Sequence, residues 1–196
     1  MAENAYAQAR DALDHGDAES ARDLVSRAYE ADPNDPDVRE LYAALHLAYG
    51  VRLAAQASEA RRMEILRRNI GYDEEFEDSP EVTAAFDRAL AVIEEALRAN
   101  PSSEKAIQAK ASLLFRRDRR AGRPAALEIL QKVQADHPAN RQVAFVIRKI
   151  ERPCPRCSDT GFCPYCRARG LKRYLGFERE CERCHGRGIC PACGIL

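Results

Sequence analysis

The chain reads as an all-α helical-repeat solenoid followed by a small module of β-hairpin and knuckle turns built around cysteine, and three observations carry that reading. All eight cysteines fall in the last 43 of 196 residues, as four Cys-x-x-Cys pairs. The first 150 residues are rich in alanine, leucine and charge, with apolar positions recurring at intervals of three and four, the period of an amphipathic helix. Within that stretch prolines recur at long, related intervals.

Proline and glycine punctuate the helical part. Breaks are expected near Gly16, Asp32 to Pro36, Gly50, Gly71 to Pro80, Asn100-Pro101, Gly122 to Pro124 and His137-Pro138. They delimit helices over about 3–15, 18–31, 36–49, 51–70, 80–99, 102–120, 124–136 and 139–151. Pro33 and Pro101 are 68 residues apart, twice 34, and Pro138 follows 37 later. Ala21 and Ala28 precede Pro33 by twelve and five positions, Ala89 and Ala96 precede Pro101 by the same intervals, and Ala126 and Val133 precede Pro138 likewise.

Period and small residues together resemble tetratricopeptide repeats. The likeness is strongest in the first unit, with Gly16-Asp17 at its turn and residues 31–36 at its end, and the second position, ending near Arg67, is degenerate. A generic α-hairpin bundle is the alternative. In either case a helix pair buries its apolar face only against its neighbours, and the resemblance implies a concave surface that takes an extended or helical peptide. The expected organisation is a repeat domain over 1–150 and a cysteine-rich domain over 151–196, joined by only Glu151-Arg152-Pro153, so the two act as one rigid body.

The pairs are Cys154/Cys157, Cys163/Cys166, Cys181/Cys184 and Cys190/Cys193, separated by five, fourteen and five residues. Two cysteines three positions apart on a tight turn point both sulfurs at one ion, and two such turns complete a tetrahedral Cys₄ shell, so eight thiols suit two Zn²⁺ ions. A disulfide framework, an iron–sulfur cluster and a redox dithiol are the competing uses of the same residues. Residues 1–6 show no basic stretch followed by an apolar run, which leads us to expect a reduced, cytoplasmic chain with no membrane partner.

Each pair opens a version of one phrase: CPRCSDTG from Cys154, CPYCRARG from Cys163, CERCHGRG from Cys181 and CPACG from Cys190. The phrase CxxCxGxG resembles the cysteine-rich domain of DnaJ-type co-chaperones. Both glycines stand only in the third copy (Gly186, Gly188); Gly161 and Gly170 remain in the first and second. The resemblance implies that the outer pairs, Cys154, Cys157, Cys190 and Cys193, share one zinc and the inner pairs, Cys163, Cys166, Cys181 and Cys184, the other. Spacing alone leaves pairing within each half open. No His-Pro-Asp signature of a J domain is present, so stimulation of an ATP-driven chaperone through such a domain is excluded. The glycines read as structural, placed where the chain must reverse or approach sulfur closely.

Between the halves, residues 171–180 predict a hairpin turning near Leu175-Gly176, with Tyr174 opposite Phe177 and Arg173 opposite Glu178. His185 beside Cys184 is read as a non-ligand, and His15, His46 and His137 as packing or surface residues.

Charge is balanced overall, 31 Lys/Arg against 31 Asp/Glu, but unevenly placed. Residues 1–100 hold 11 Lys/Arg and 22 Asp/Glu, residues 101–196 hold 20 and 9. The cysteine-rich part has nine cations and five acids, a surplus that two Zn(Cys)₄ centres of charge −2 would cancel. The basic excess therefore sits in 101–150, notably Arg116, Arg117, Arg119, Arg120 and Arg123. Helix-dipole complementation explains these arginines better than phosphate binding. An acidic partner is another use, with Asp73, Glu74, Glu75, Phe76, Glu77 and Asp78 as a counterpart or as a solvated linker.

No phosphate-binding glycine loop, nucleophile elbow or helical His-Glu-x-x-His is present. The expected function is a non-enzymatic, zinc-binding protein–protein adaptor with a chaperone or assembly role, its partners client or chaperone polypeptides. The alternatives are an RNA-binding zinc-knuckle protein, disfavoured if Phe162, Tyr165, Tyr174 and Phe177 pack against the knuckles, and a thiol–disulfide oxidoreductase using its Cys-x-x-Cys pairs.

Overall fold

A computed structural model describes residues 2–70 and 77–193. Among them are seven helices, α1 (Ala2–Asp14), α2 (Ala18–Ala31), α3 (Pro36–Arg68), α4 (Pro80–Ala99), α5 (Glu104–Arg117), α6 (Gly122–Asp136) and α7 (Arg141–Ile150), then strands β1 (Leu171–Tyr174) and β2 (Phe177–Glu180). Helix starts follow capping chemistry: side-chain oxygens of Asp17, Asp35, Ser79, Ser103 and Asn140 accept from backbone N–H groups in the first turns, and Pro36 and Pro80 occupy positions that need no donor.

The proline recurrence has a structural counterpart. Helices α2, α4 and α6 end alike, at Asp32, Asn100 and His137, each extended before its proline and each donating its N–H to the carbonyl of Ala28, Ala96 or Val133. All six small residues singled out by spacing, Ala21, Ala28, Ala89, Ala96, Ala126 and Val133, are buried.

Each helix packs on the next, and α3 also touches α5. The core is divided accordingly into three clusters: Ala9, Val25, Ala28 and Val38 in α1–α3; Ala54, Phe86, Ala89, Ile93 and Leu113 in α3–α5; Phe115, Ala126, Leu130, Val143 and Ile150 in α5–α7. Arg61 joins the middle of the chain. It makes an ion pair with Asp78, donates to the carbonyls of Arg116 (2.5 Å) and Arg117 (2.6 Å) at the end of α5, and lies over the Phe86 ring.

The expected break at Gly50 is overturned. Helix α3 runs unbroken for 33 residues, merging the helices expected over 36–49 and 51–70. Gly50 is buried where α3 meets α4: a Cβ there would lie 2.6 Å from Ile93 Cγ1 and 3.3 Å from the Ile93 nitrogen. Its role is close approach of two helices, for which it forgoes the better helix propensity of alanine. Of the acidic stretch, Asp73, Glu74, Glu75 and Phe76 lie outside the described residues. Asp78 is the partner of Arg61.

Histidines take the packing and surface roles expected. His46 is buried, stacks on Tyr42, donates through Nδ1 to the Tyr42 carbonyl (3.0 Å) in one tautomer, and has Glu95 3.8 Å from Nε2. His137 pairs with Glu104 at 2.8 Å. Burial lowers the His46 pKa, against the opposing pull of the Tyr42 carbonyl and Glu95. With the folded pKa below that of the unfolded chain, about 6.5, His46 favours folding fully above that pH and the contribution is lost as pH falls below it.

Two outcomes are expected from this packing. Gly50→Ala should overpack the α3–α4 contact and destabilise by about 1–3 kcal/mol, read as a lowered Tm. Between pH 7 and pH 5, Tm should fall less in His46→Gln than in the parent protein, because the variant lacks the proton that the buried imidazole resists.

Candidate metal centres

The cysteine-rich segment is built from four knuckle turns and one hairpin. The hairpin turns at Leu175 (φ 46°) and Gly176 (φ 89°), and its register pairs Leu171 with Glu180, Lys172 with Arg179, Arg173 with Glu178 and Tyr174 with Phe177, as the sequence predicted. The fold-back continues below the strands, where Phe162 bridges Ile189, Cys163 donates its N–H to the Gly188 carbonyl (2.9 Å) and Cys190 donates to that of Gly161 (2.8 Å). One antiparallel register therefore sets the first knuckle beside the fourth and the second beside the third.

Nested grouping follows. Cys154, Cys157, Cys190 and Cys193 form one group and Cys163, Cys166, Cys181 and Cys184 the other; within each, all four sulfurs lie within 4.8 Å of one another. All eight thiols are free and buried. Sulfur separations are 4.0 Å for Cys154/Cys190, 3.5 Å for Cys157/Cys193 and 3.7 Å for Cys166/Cys184. Four sulfurs about 2.3 Å from a common tetrahedral ion stand about 3.8 Å apart, so both groups fit a four-coordinate metal ion. The grouping is the one the DnaJ resemblance implied, and His185, with its own φ of 51°, belongs to neither group.

The knuckles repeat in detail. After the second cysteine of each of the first three pairs, the residues at the first, second and fourth following positions are left-handed: Ser158, Asp159 and Gly161; Arg167, Ala168 and Gly170; His185, Gly186 and Gly188. The last of each trio donates its N–H to sulfur, Gly161 to Cys157 (3.3 Å), Gly170 to Cys166 (3.2 Å) and Gly188 to Cys184 (3.3 Å). Glycine is required at the inner pair by contact as well as by φ. A Cβ on Gly170 would overlap the Gly186 carbonyl oxygen, and one on Gly188 the Ala168 carbonyl oxygen.

Asp159 stands where the full phrase has glycine, and its side chain has other work. Oδ1 accepts from the Cys154 N–H (3.2 Å), and Oδ2 forms an ion pair with Arg123, which also donates to the Ile150 carbonyl (2.5 Å). Arg119 Nη1 donates to Cys193 Sγ at 3.1 Å, while its guanidinium stacks over Phe115 and covers Gly161. Farther along, Arg169 donates to Asn69 at the end of α3 (2.9 Å) and Lys149 to the Ala192 carbonyl (3.2 Å). Arginines 119 and 123 therefore fasten the outer cysteine group to the α5–α6 region. Residue spacing gave no sign of these contacts; the cluster of five arginines between residues 116 and 123, broken by Asp118, Ala121 and Gly122 and distant in sequence from the cysteines, is the only hint.

Electrostatics explains the fastening. In the outer group the Cys157 thiol is brought down to about 5, first by hydrogen bonding with Cys193 and then, against burial, by the Gly161 N–H, while Cys193 is pushed up by Cys157 and by burial. In the inner group burial raises Cys163 and Cys166. A close-packed set of four thiols cannot all ionise without a cation at the centre, and Arg119 is the nearest fixed positive charge to Cys193. Arg116, partly buried, has its pKa lowered by desolvation and by neighbouring Arg119 and Arg61. Arg117 pairs with Asp87 at 2.8 Å. Three of the five arginines in this cluster, Arg117, Arg119 and Arg123, are thus engaged in the fold through ion pairs and a sulfur contact, and Arg120 also has an interaction partner.

Comparison of the chain with protein-family models, with curated proteins and with solved structures returns no match. No helix among the described residues is long and apolar enough to cross a membrane.

Removing metal should unfold the segment locally, since its ligand turns have little else to hold them. Under a strong chelator, hydrogen exchange should show loss of protection across residues 154–193 with protection retained in α1–α4; uniform loss or none would contradict this. Arg119→Ala should weaken one of two bound metal ions by about tenfold or more, read by competition with a chromophoric chelator, as expected for a group that hydrogen-bonds a ligand atom.

Proposed function

We propose that each cysteine group holds one Zn²⁺ as a structural ion and that the protein is a non-enzymatic, zinc-stabilised adaptor for other polypeptides. The observation that carries this reading is the closure of both groups: four buried sulfurs fill a tetrahedral shell and leave no position for substrate or water. When bound, the ion cross-links two knuckles and supplies no reaction. A redox role for the Cys-x-x-Cys pairs is disfavoured by the same arrangement, because each pair faces a second pair across the group rather than solvent, and reactive dithiols are accessible.

The helical part supplies the surface for partners in this reading. Its repeated helix exits and its divided core favour a TPR-like stack, in which successive hairpins would leave one side free. A shallow open groove along α4 and the α4–α5 turn, lined by Ala91, Leu97 and Pro101 with Glu94, Arg98 and Lys110, has the mixed apolar and charged character that suits a peptide. The contacts of Arg119, Arg123 and Arg169 support the two parts acting as one body, and a chaperone or assembly role in a reducing cytoplasm accords with the DnaJ-like phrase.

Native mass spectrometry under reducing conditions should find two zinc ions per chain with all eight thiols protected from alkylation. Immobilised zinc-loaded protein in nuclease-treated lysate should retain a discrete protein that cross-links to α3–α6. Catalysed reduction of a disulfide substrate, or, in a parallel lysate left untreated with nuclease, retention of nucleic acid with no protein, would overturn the adaptor reading.

A further inference from the structure

The hairpin that closes the cysteine-rich segment is exposed along both strands, and its two faces differ in chemistry. Directly paired residues of an antiparallel ladder share a face, and faces alternate along each strand. Leu171, Arg173, Glu178 and Glu180 therefore lie on one side, with one cation against two acids. Lys172, Arg179, Tyr174 and Phe177 lie on the other, with no acid among them. Tyr165 and Arg183 extend this second face from the neighbouring knuckles, since Lys172 Nζ lies 6.0 Å and Arg183 Cζ 5.2 Å from the Tyr165 ring centroid.

Three aromatic rings on this face are open to solvent: Tyr165 is 42 %, Tyr174 66 % and Phe177 75 % exposed. Of the four aromatic residues in the segment, only Phe162 is drawn into the knuckles, where it bridges Ile189. Exposed rings of this size are not explained by packing. Nor is the charge pattern, because Lys172 directly opposite Arg179 is a like-charge cross-strand pair, which weakens a hairpin. Neither cation makes an ion pair among the described residues. The tip breaks a further local preference: Leu175, at a left-handed position that favours asparagine, aspartate or glycine, is 97 % exposed. A hairpin that departs from local stability in three ways at one surface is shaped for a ligand.

We propose that this face binds single-stranded nucleic acid, with bases stacked on Tyr165, Tyr174 and Phe177 and phosphates paired with Lys172, Arg179 and Arg183. Alternation of aromatic planes with cations matches unpaired bases carried on a phosphate chain, whereas duplex bases are already stacked and offer only their backbone. The module's net charge, near zero with two zinc ions bound, does not oppose this, because the balancing Glu178 and Glu180 lie on the far face of the ladder. Leu175 ends the row and shields the outermost base from water. This function stands independently of the adaptor reading, which uses the helices.

Fluorescence anisotropy of labelled 12-nucleotide RNA and DNA with the zinc-loaded full chain tests it. Binding of either should weaken as salt rises, with a log–log slope of about −2 for three phosphate contacts. Tyr174→Ala and Phe177→Ala should each weaken binding about tenfold, while Leu171→Ala on the opposite face leaves it unchanged. Lys172→Ala with Arg179→Ala should flatten the salt slope by about 1.4. All five substituted side chains lie on the hairpin strands and belong to neither cysteine group, and zinc content measured in parallel confirms that the knuckles persist. Undiminished binding by the Tyr174→Ala/Phe177→Ala double variant, equal affinity for duplex, or tighter binding of polyglutamate or of phosphatidylserine vesicles through the same residues would overturn the proposal.

Discussion

Sulfur takes the place of a hydrophobic core in the last quarter of this chain. Apart from the eight cysteines, Ala168 is the one buried apolar residue among the described residues of that segment, and both strands of its hairpin are exposed along their length. A segment this short cannot balance the entropy of ordering with so little apolar burial, so its structure depends on a cross-link that draws four turns together. Close packing of four buried thiols has a direct electrostatic consequence: ionisation of one opposes ionisation of its neighbour, and only a central cation relieves the conflict. The left-handed residues, the glycine N–H donors and the single antiparallel register all serve to bring sulfurs to that point.

Much of this was legible in the sequence because it is local. Cys-x-x-Cys spacing, glycine at the close approaches, and a two-residue turn at Leu175-Gly176 each depend on residues within a few positions of one another. The mirror spacing of five, fourteen and five residues admitted two groupings, and the hairpin register decides between them by placing Phe162 beside Ile189. The small residues before Pro33, Pro101 and Pro138 were legible for a similar reason, since one helix exit is repeated three times.

What the sequence hid is set by partners distant in the chain. Gly50 looks like a break because glycine is poor in a helix, and only Ile93, from another helix, reveals it as a point of close approach. Arg119 and Arg123 looked like part of a basic helix end; their partners Cys193 and Asp159 lie dozens of residues away. The departure of Asp159 from the glycine of its phrase was visible, but its meaning was not. Its carboxylate joins a knuckle to the helices and accepts from the Cys154 N–H, so a residue tolerated in a left-handed conformation also gained an anchoring role.

Helix α3 gives the molecule a mechanical property. Thirty-three residues of unbroken helix make a rod about 50 Å long. Arg39, near its start, donates to the Ala99 carbonyl at the end of α4, and Asn69, at its far cap, holds Arg169 beside the inner cysteine group. A rigid rod of this length turns a tilt of about 5° about one cap into a shift of about 4 Å at the other. One continuous helix thus spans the distance between the first helical hairpin and the inner cysteine group.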